Sequence, residues 1–550
     1  MSPIFSLCFK TINFSPVMLV LLLSLLVVLG LHVYRRRHFP WGPVGVPVLG
    51  YLPFLDCRRL HQSLLNLGTR FGDVFSLKIG GQTLVVLNGA DVIREAFVNK
   101  AASFDGRPIW MLNKVNDGRG IANEQPSQQW RLHRKVWQKM MRHLMQSDSG
   151  IESMITQDIA NVISLLGASC GRPVNISRVV QMALCNVICS ICFGKSYSYD
   201  DQDFRHLLRM ADKFFHYLSS ASAVNFFPIL WHLPLKSQKA VLEGFAGIFE
   251  FVRALVRKRQ KGIGRKTQGF VDFCLIAESR KSSDASQADD IKPECIGEYD
   301  DKNEMNHSVD NHGERENRVL SELDEQCATE DDNGDNDDDI CESVTYVATD
   351  LFIGGAETTH AGVMWGVVFM VRHPEIQALV QEELDAQVGI DRLPSWGDRH
   401  RLPYTQVVLQ EILRLGNVIP VAIPHATTCD VTLSNGSRLP RGTTVMANLY
   451  ASHMDPEAWS DPETFQPERF LDNDGKLKRF DAFMPFSIGH RVCLGEQLAR
   501  MELYLAFTHI FHRFRISLAP GERPLGRQGR PGITHSPYPF KICAEARHSE

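Results

Sequence analysis

A cysteine near the C-terminus carries the clearest chemical signature in the chain. Cys493 lies between Gly489 and Gly495, and apolar residues at helical spacing follow it at once. This pattern predicts a thiol at a helix N-terminus, where unpaired N–H groups and the helix dipole stabilise a thiolate. Glycines let the backbone approach a flat ligand closely, and thiolates bind transition metals. Taken alone, the residue is also consistent with a buried structural cysteine.

The stretch around Cys493 resembles the haem-binding loop of the cytochrome P450 family. Phe486, Gly489, Arg491, Cys493 and Gly495 match that loop position for position. The resemblance implies a haem b cofactor whose iron is ligated axially by Cys493. It also implies a mainly α-helical fold with small β-sheets, and it extends over residues 38–545 apart from an acidic segment.

A second motif, Gly354-Gly-Ala-Glu357-Thr358, lies inside a helical pattern at 344–371. Two glycines at a helix centre cost about 1 kcal/mol each, so they need a reason. They could serve close helix packing with Glu357 at the surface, or they could loosen the helix so that Glu357 and Thr358 form a proton relay. The motif resembles the oxygen-activation helix of cytochromes P450, which implies catalytic roles for Glu357 and Thr358.

An acid and a base at i, i+3, Glu411 and Arg414, are a weak signal alone because exposed pairs of this kind are common. Followed by Arg469 and then Cys493, they resemble the buried Glu, Arg, Arg network of the same family. We therefore expect a structural role and predict that Glu411→Ala loses haem and fold.

The resemblance also proposes which residues bind the haem propionates: Trp130, Arg134, Arg107, His425 and Arg491. Cations and an indole N–H suit two buried carboxylates. Arg134 belongs to a basic helical pattern at 128–143, which is either a solvated face or a docking face for an acidic flavoprotein reductase.

Composition and net charge exclude few classes of protein. The 550 residues are 44% hydrophobic, enough for a large core, and the net charge of -4 gives no sign of nucleic-acid binding. The 13 cysteines are scattered and lack histidine partners at zinc spacing. Most are therefore interpreted as buried apolar residues in a reducing compartment.

The N-terminus predicts a membrane anchor. Residues 17–34 are almost entirely apolar, and three arginines follow at 35–37. This pattern indicates an anchor at 1–37 and a cytosolic catalytic domain at 38–550, at the endoplasmic reticulum membrane. A cleaved signal peptide is the alternative.

The remaining pattern is mostly helical. Helices are predicted at 128–143, 151–166, 174–193, 204–218, 239–258, 374–388 and 404–415, a hairpin at 74–87, and a hairpin turn at 435–436. Residues 281–342 are rich in Asp, Asn, Glu and Ser, which predicts an acidic disordered loop within the domain.

The implied activity is haem-thiolate monooxygenation of an apolar small molecule, with O2 and electrons from NADPH. Partners would be NADPH–cytochrome P450 reductase, cytochrome b5 and membrane lipid. Three alternatives stay open: a haem-thiolate isomerase or dehydratase of lipid peroxides, a xenobiotic or aryl hydrocarbon hydroxylase, and a non-catalytic haem sensor.

Three short segments suggest a substrate class. Residues 120–122, 186–193 and 423–426 look most similar to the steroid 17α-hydroxylase/17,20-lyase group and to aryl hydrocarbon hydroxylases. Two departures weaken a steroid assignment. Ala211 stands where that steroid hydroxylase group has an asparagine, and Leu415-Gly-Asn417 replaces a more usual Arg-Pro pair. The expected pocket walls are 109–121, 204–218, 351–357, 418–423 and 534–537.

Overall fold

The computed structural model describes residues 39–146, 150–218, 222–261, 269–284 and 334–548, with the isolated residues 18, 22, 23 and 30. The predicted anchor lies almost wholly outside these residues and stays a prediction. Within the described ranges, no helix has both the length and the apolar character needed to cross a membrane.

Helices overlap both ends of the predicted acidic loop at 281–342. Residues 285–333 lie outside the described residues, but Phe270–Asp284 and Gly334–Arg372 are helices that overlap the predicted loop. Acidic residues such as Asp339 are favourable near a helix N-terminus. Cys341 and Val344, both buried, then fix the first turns of the second helix to the core.

Helices dominate, as predicted. The longer ones are Leu60–Phe71, Gln128–Gln146, Ile151–Ser169, Ser177–Phe193, Gln202–Tyr217, Lys236–Gln260, Phe270–Asp284, Gly334–Arg372, Pro374–Gln387, Pro403–Gly416 and Glu496–Arg513. Shorter ones are Ala90–Arg94, Ala101–Phe104, Met111–Val115, Gly120–Asn123, Ala223–Phe226 and Leu449–His453. The helix predicted from Val174 begins at Ser177, because Val174 instead forms a β-bridge with Ile542.

The strands form small sheets. They are β1 Val74–Ile79, β2 Gln82–Leu87, β3 His425–Ala426, β4 Val431–Thr432, β5 Arg438–Leu439, β6 Thr444–Ala447, β7 Phe514–Leu518, β8 Gly529–Arg530, β9 Ser536–Pro537 and β10 Ile542–Ala546. One sheet has the order β1-β2-β6-β3, with β2 and β6 parallel. The predicted hairpins at 74–87 and around Gly436 are confirmed as β1–β2 and β4–β5.

The helix Gly334–Arg372, called the long helix below, lies at the centre of the core. It packs against Ser177–Phe193, Lys236–Gln260, Pro403–Gly416 and Glu496–Arg513, and against β9. Its side chains from Val363 to Met370 are nearly all buried, as expected for a helix that is apolar all round. The Gly354–Thr358 motif is therefore held inside the molecule.

Candidate active site

The loop that carries Cys493 has the predicted geometry. The Cys493 N–H donates to the Phe486 carbonyl at 3.0 Å, and Gly495 is the N-cap of the helix Glu496–Arg513. Gly489 has φ +82°, and a Cβ there would lie 1.7 Å from the Phe97 carbonyl oxygen. Glycine is therefore required at this turn by both its conformation and its contact.

The Cys493 thiol is both accessible and surrounded by protein atoms. Its surface is accessible, yet desolvation by surrounding protein raises the pKa of the thiol to about 11. The Gly495 N–H and the Arg134 and Arg500 guanidinium groups oppose this rise in pKa. A bound metal cation favours the thiolate much more strongly.

The basic helix Gln128–Gln146 supports this loop from one side. Arg134 Nη2 donates to the Val492 carbonyl at 3.1 Å, and Trp137 Nε1 donates to the Leu494 carbonyl at 2.9 Å. The guanidinium of Arg500 lies 4.8 Å from the Phe486 ring centroid. Sequence reasoning missed Trp137, although its spacing of three from Arg134 places it on the same helical face.

Arg491 is buried beside the Cys493 loop. Its Nε and Nη2 donate to the Asp105 carbonyl at 3.0 and 2.7 Å, and Nη2 also donates to the Glu124 carbonyl at 2.6 Å. Its guanidinium lies 4.0 Å from the Trp130 ring centroid. Nη1 is buried and has no hydrogen-bond partner among the described residues.

Arg107 and His425 lie close by and have protein partners. Arg107 Nε donates to the Ala122 carbonyl at 2.9 Å, and Nη1 donates to the Ile423 and Pro424 carbonyls. His425 Nδ1 lies 2.7 Å from the Phe104 carbonyl, which can only accept, so Nδ1 carries the proton. Nε2 could then donate to a carboxylate only if the ring became an imidazolium.

Trp130 is placed by the short helix Gly120–Asn123. Its Nε1 donates to the Ile121 carbonyl at 3.0 Å. The carbonyls of residues 121, 122 and 124 thus hold Trp130, Arg107 and Arg491 respectively. From the other side, Asp350 of the long helix accepts from the Ala122 N–H at 2.9 Å. The predicted propionate contacts stay predictions for all five residues: Trp130, Arg134, Arg107, His425 and Arg491.

The guanidinium groups of Arg107, Arg134 and Arg491 suit a ligand with two negative charges along one edge. Arg107, Arg134 and Arg491 interact unfavourably with one another: burial and the nearby Arg134 together lower the pKa of Arg491 to about 10. Asp105 opposes this effect, but it also pairs with His490 at 2.8 Å. The surplus positive charge and the unpaired Arg491 Nη1 suit the two carboxylates of haem, so the residues present fit this cofactor.

Glu357 and Thr358 differ in their surroundings. Thr358 Oγ1 donates to the Gly354 carbonyl at 2.7 Å, and a Cβ at Gly354 would meet no atom within 4 Å. Glu357 is only 8% exposed and accepts from Ser536 Oγ at 3.0 Å. Burial raises the pKa of Glu357 to about 7, against the effect of Arg530. The alternative that Glu357 lies at the surface is therefore wrong.

A small cleft of about 30 Å³ borders the Arg107 region. Arg107, Met111, Leu218, Ile423 and Ile533 are among its lining residues. Three of the expected pocket walls contribute to it: 109–121, 204–218 and 418–423. Ala211 does not line this cleft; it is 1% exposed within the main hydrophobic core.

The predicted Glu411 network is confirmed. Arg414 Nε and Nη2 donate to the two Glu411 carboxylate oxygens at 2.7 and 2.8 Å, and Arg469 Nε donates to Oε1 at 3.2 Å. Arg414 also donates to the His453 and Pro462 carbonyls. The network thus ties the helix Pro403–Gly416 to the segment that leads toward Cys493.

Comparison with known proteins gives a consistent result. The sequence profile described as Cytochrome P450 matches residues 40–544. The chain is 30% identical to cytochrome P450 2J1 of Oryctolagus cuniculus, with 93% of this chain and 92% of that protein covered. It is 31% identical to cytochrome P450 2D27 of Mesocricetus auratus (94% and 94% covered) and to cytochrome P450 18a1 of Drosophila melanogaster (94% and 88%). The chain therefore belongs to the cytochrome P450 family, and it is a monooxygenase with a cysteine-ligated haem b.

Proposed function

We propose that this monooxygenase hydroxylates a small apolar molecule at the endoplasmic reticulum membrane, with electrons passed from NADPH by NADPH–cytochrome P450 reductase. The observation that carries the proposal is the arrangement around Cys493. An accessible thiol at a helix N-terminus lies beside buried guanidinium groups, and Thr358 lies on an open face of the long helix.

The residues of this chain have distinct tasks in that reaction. Bound haem supplies electron transfer and dioxygen activation, which the thiolate ligand promotes. Cys493 would hold the iron, while Arg491 and Arg134 would hold the propionates. Thr358 would offer its hydroxyl on the open face of the long helix, where the Gly354 carbonyl fixes its Oγ1. Glu357 would replace the proton that Thr358 gives up.

The exposed basic residues of the helix Gln128–Gln146 favour a reductase as partner. Arg131, Lys135, Lys139 and Arg142 are exposed at helical spacing, whereas Arg134 and Trp137 of the same helix contact the Cys493 loop. An acidic flavoprotein on the exposed face would therefore be one helix away from the thiol. Cytochrome b5 is proposed for the same face.

An exposed apolar surface supports a lipid partner. Trp41, Val48 and Phe54 are 85%, 81% and 58% exposed, a few residues after the predicted anchor. The Gly80 N–H donates to the Leu49 carbonyl, and Gly80 also packs against Phe227, close in sequence to Ile229, which is 75% exposed. Exposed apolar patches of this kind mark membrane or protein contacts.

The substrate proposal is limited to apolar molecules, with steroids and planar aromatic hydrocarbons as the two candidates. Arg107 gives the cleft a cationic side, but its donors Nε and Nη1 are engaged with carbonyls. A binding screen read as a shift of the haem Soret band separates them. A shift with progesterone-like ligands and none with polycyclic aromatics supports a steroid substrate, and the reverse supports an aryl hydrocarbon hydroxylase.

Oxygen consumption tests the reaction class. With reductase present, we expect NADPH-dependent O2 uptake and hydroxylated product. Turnover of a lipid peroxide without reductase or NADPH would instead support the isomerase or dehydratase alternative.

The Cys493→His variant tests the iron ligand. We expect the reduced, CO-bound variant to lose the thiolate-type spectrum of the wild-type protein, because imidazole replaces sulfur. Cys429→Ser, at an exposed cysteine, is the matched control and should keep that spectrum. An unchanged spectrum in Cys493→His would refute the assignment.

A further inference from the structure

The Glu357 carboxylate contacts a hairpin from the far end of the chain. Its Oε1 accepts from Ser536 Oγ at 3.0 Å and lies 3.7 Å from Arg530 Nη2. Arg530 and Ser536 pair with each other across β8 and β9. Both partners of the carboxylate thus come from one small two-stranded sheet.

His535 fixes that hairpin against the core. Its Nε2 accepts from the Gly529 N–H at 3.0 Å, and its Nδ1 donates to the Gly416 carbonyl at 2.8 Å. The His535 carbonyl accepts from Trp365 Nε1 of the long helix at 2.7 Å. Because these bonds flank Ser536, the hydroxyl has a defined position relative to Glu357.

Other charged and titratable groups also face Glu357. His360 Nδ1, one turn along the same helix, lies 3.8 Å from Oε2. Asp212 of the helix Gln202–Tyr217 acts on the carboxylate as a like charge, and Asp212 is itself paired with Arg178 at 2.8 Å. Cys185 of the helix Ser177–Phe193 is buried nearby. Burial lowers the pKa of His360 to about 4, so Arg530 is the cation that opposes burial of the carboxylate near neutral pH.

Arg530 also reaches solvent. Its side chain is 42% exposed and borders a cavity that Arg58, His61 and Pro420 help to line. A guanidinium placed between a buried carboxylate and a solvent-connected cavity can adjust the charge of that carboxylate without touching the reacting atoms.

We propose that Ser536 and Arg530 are positioning residues for Glu357, which fix its carboxylate on the hairpin side of the long helix and set how much of it is ionised during turnover. This inference rests on the proposed role of Glu357 as a proton donor. Residues 529–537 would thus contribute to that site through their contacts with Glu357.

Infrared difference titration of the resting, full-length holoenzyme tests the proposal without turnover. The carboxyl signal of Glu357 is identified by its loss in Glu357→Gln. We expect Arg530→Gln to shift the titration of Glu357 upward by about one pH unit, the low end for loss of an opposite charge because Arg530 is partly exposed. Ser536→Ala should also shift it upward, since a hydrogen bond to the ionised form is lost.

Two further variants make the test specific. Arg530→Lys keeps the charge and should titrate close to wild type. Arg527→Gln removes a nearby cation that pairs with Glu463 instead, and should leave the titration unchanged. An unshifted Arg530→Gln titration, or an equal shift in Arg527→Gln, would overturn the proposal.

Failure of the inference and failure of the proposed function are distinguishable. If the reduced, CO-bound wild-type protein lacks a thiolate-type spectrum, the proposed function fails whatever the titration shows. If Arg530→Gln does not fold, Ser536→Ala decides: an unshifted titration in that variant would overturn the inference.

Discussion

The two neighbours Glu357 and Thr358 have opposite environments. Thr358 bonds its own helix beside open space, whereas Glu357 is buried against β9. Successive residues of a helix point about 100° apart, so this division follows directly from helical geometry. It is consistent with the proposed roles, in which Thr358 delivers a proton and Glu357 supplies it.

Removing the Thr358 hydroxyl should uncouple NADPH use from product formation. In Thr358→Ala we expect product formed per NADPH to fall about tenfold or more, because positioned proton donors contribute about 10²-fold or more. Product and NADPH are measured in the same reaction. Thr358→Ser keeps a hydroxyl and should retain most of the coupling; equal coupling in the Ala and wild-type proteins would contradict the assigned role.

The residue types at the site were predictable, but their partners were not. Cys493 and the Glu357–Thr358 pair follow from local spacing. The acceptors of Trp130, Arg107, Arg491 and His425 are backbone carbonyls in residues 104–124 and 423–424, which no side-chain pattern reveals. Sequence motifs specify side chains, whereas these contacts depend on where the loops run.

At the scale of elements, the Glu411 network joins a helix to an irregular segment. Both Arg414 and Glu411 are fully buried, and each remaining Arg414 donor reaches a carbonyl. Removal of one partner leaves an uncompensated buried charge, which costs several kcal/mol.

Glu411→Ala should therefore destabilise the protein by about 3–5 kcal/mol and release haem. Thermal unfolding and the haem-to-protein absorbance ratio measure the two effects. Glu463→Ala is a matched control, because the Glu463 side chain is 78% exposed and its pair with Arg527 should contribute under about 1 kcal/mol. Equal stability of the two variants would show that the Glu411 network does not stabilise the fold.

Hydrophobic periodicity predicted most of the long helices but missed Leu60–Phe71 and Phe270–Asp284, and tertiary contacts set the ends of the others. Val174 fits a helical pattern yet pairs with Ile542, and the long helix starts ten residues before the predicted Val344. The π-helix Glu95–Asn99 had no recognised signal. It contains Phe97, whose carbonyl lies against Gly489 in a loop almost 400 residues away in the sequence.

At the scale of the whole molecule, surrounding protein raises the pKa of several carboxyl groups. Burial raises the pKa of Asp158 to about 6, of Asp350 and Glu357 to about 7, and of Glu502 to about 8. A raised folded-state pKa means that the folded protein holds protons that the unfolded chain has released. Each group therefore contributes stability at low pH that is lost as pH rises through its folded pKa.

Glu502→Gln isolates one such group. Between the ordinary pKa of 4.5 and the folded value of about 8, the wild type should lose stability relative to the variant. The difference should grow by about 1.4 kcal/mol per pH unit in that window. Thermal unfolding of both proteins across this range measures it.

Glu457→Gln, at an exposed position, is the matched control and should follow the wild type at every pH. A Glu502→Gln difference that does not change with pH would show that this carboxyl is not held protonated by the fold.

The short helix Gly120–Asn123 connects the cleft to the groups proposed to hold the cofactor. It follows the cleft-lining segment around Met111. Its carbonyls and that of Glu124 accept hydrogen bonds from Trp130, Arg107 and Arg491. The Ala122 N–H of this helix donates to Asp350 of the long helix. Any ligand that shifts this helix also shifts the groups proposed to hold the cofactor. Coupling free energies are reciprocal, so a substrate that tightens cofactor retention must itself bind more tightly to the cofactor-loaded protein, by the same factor.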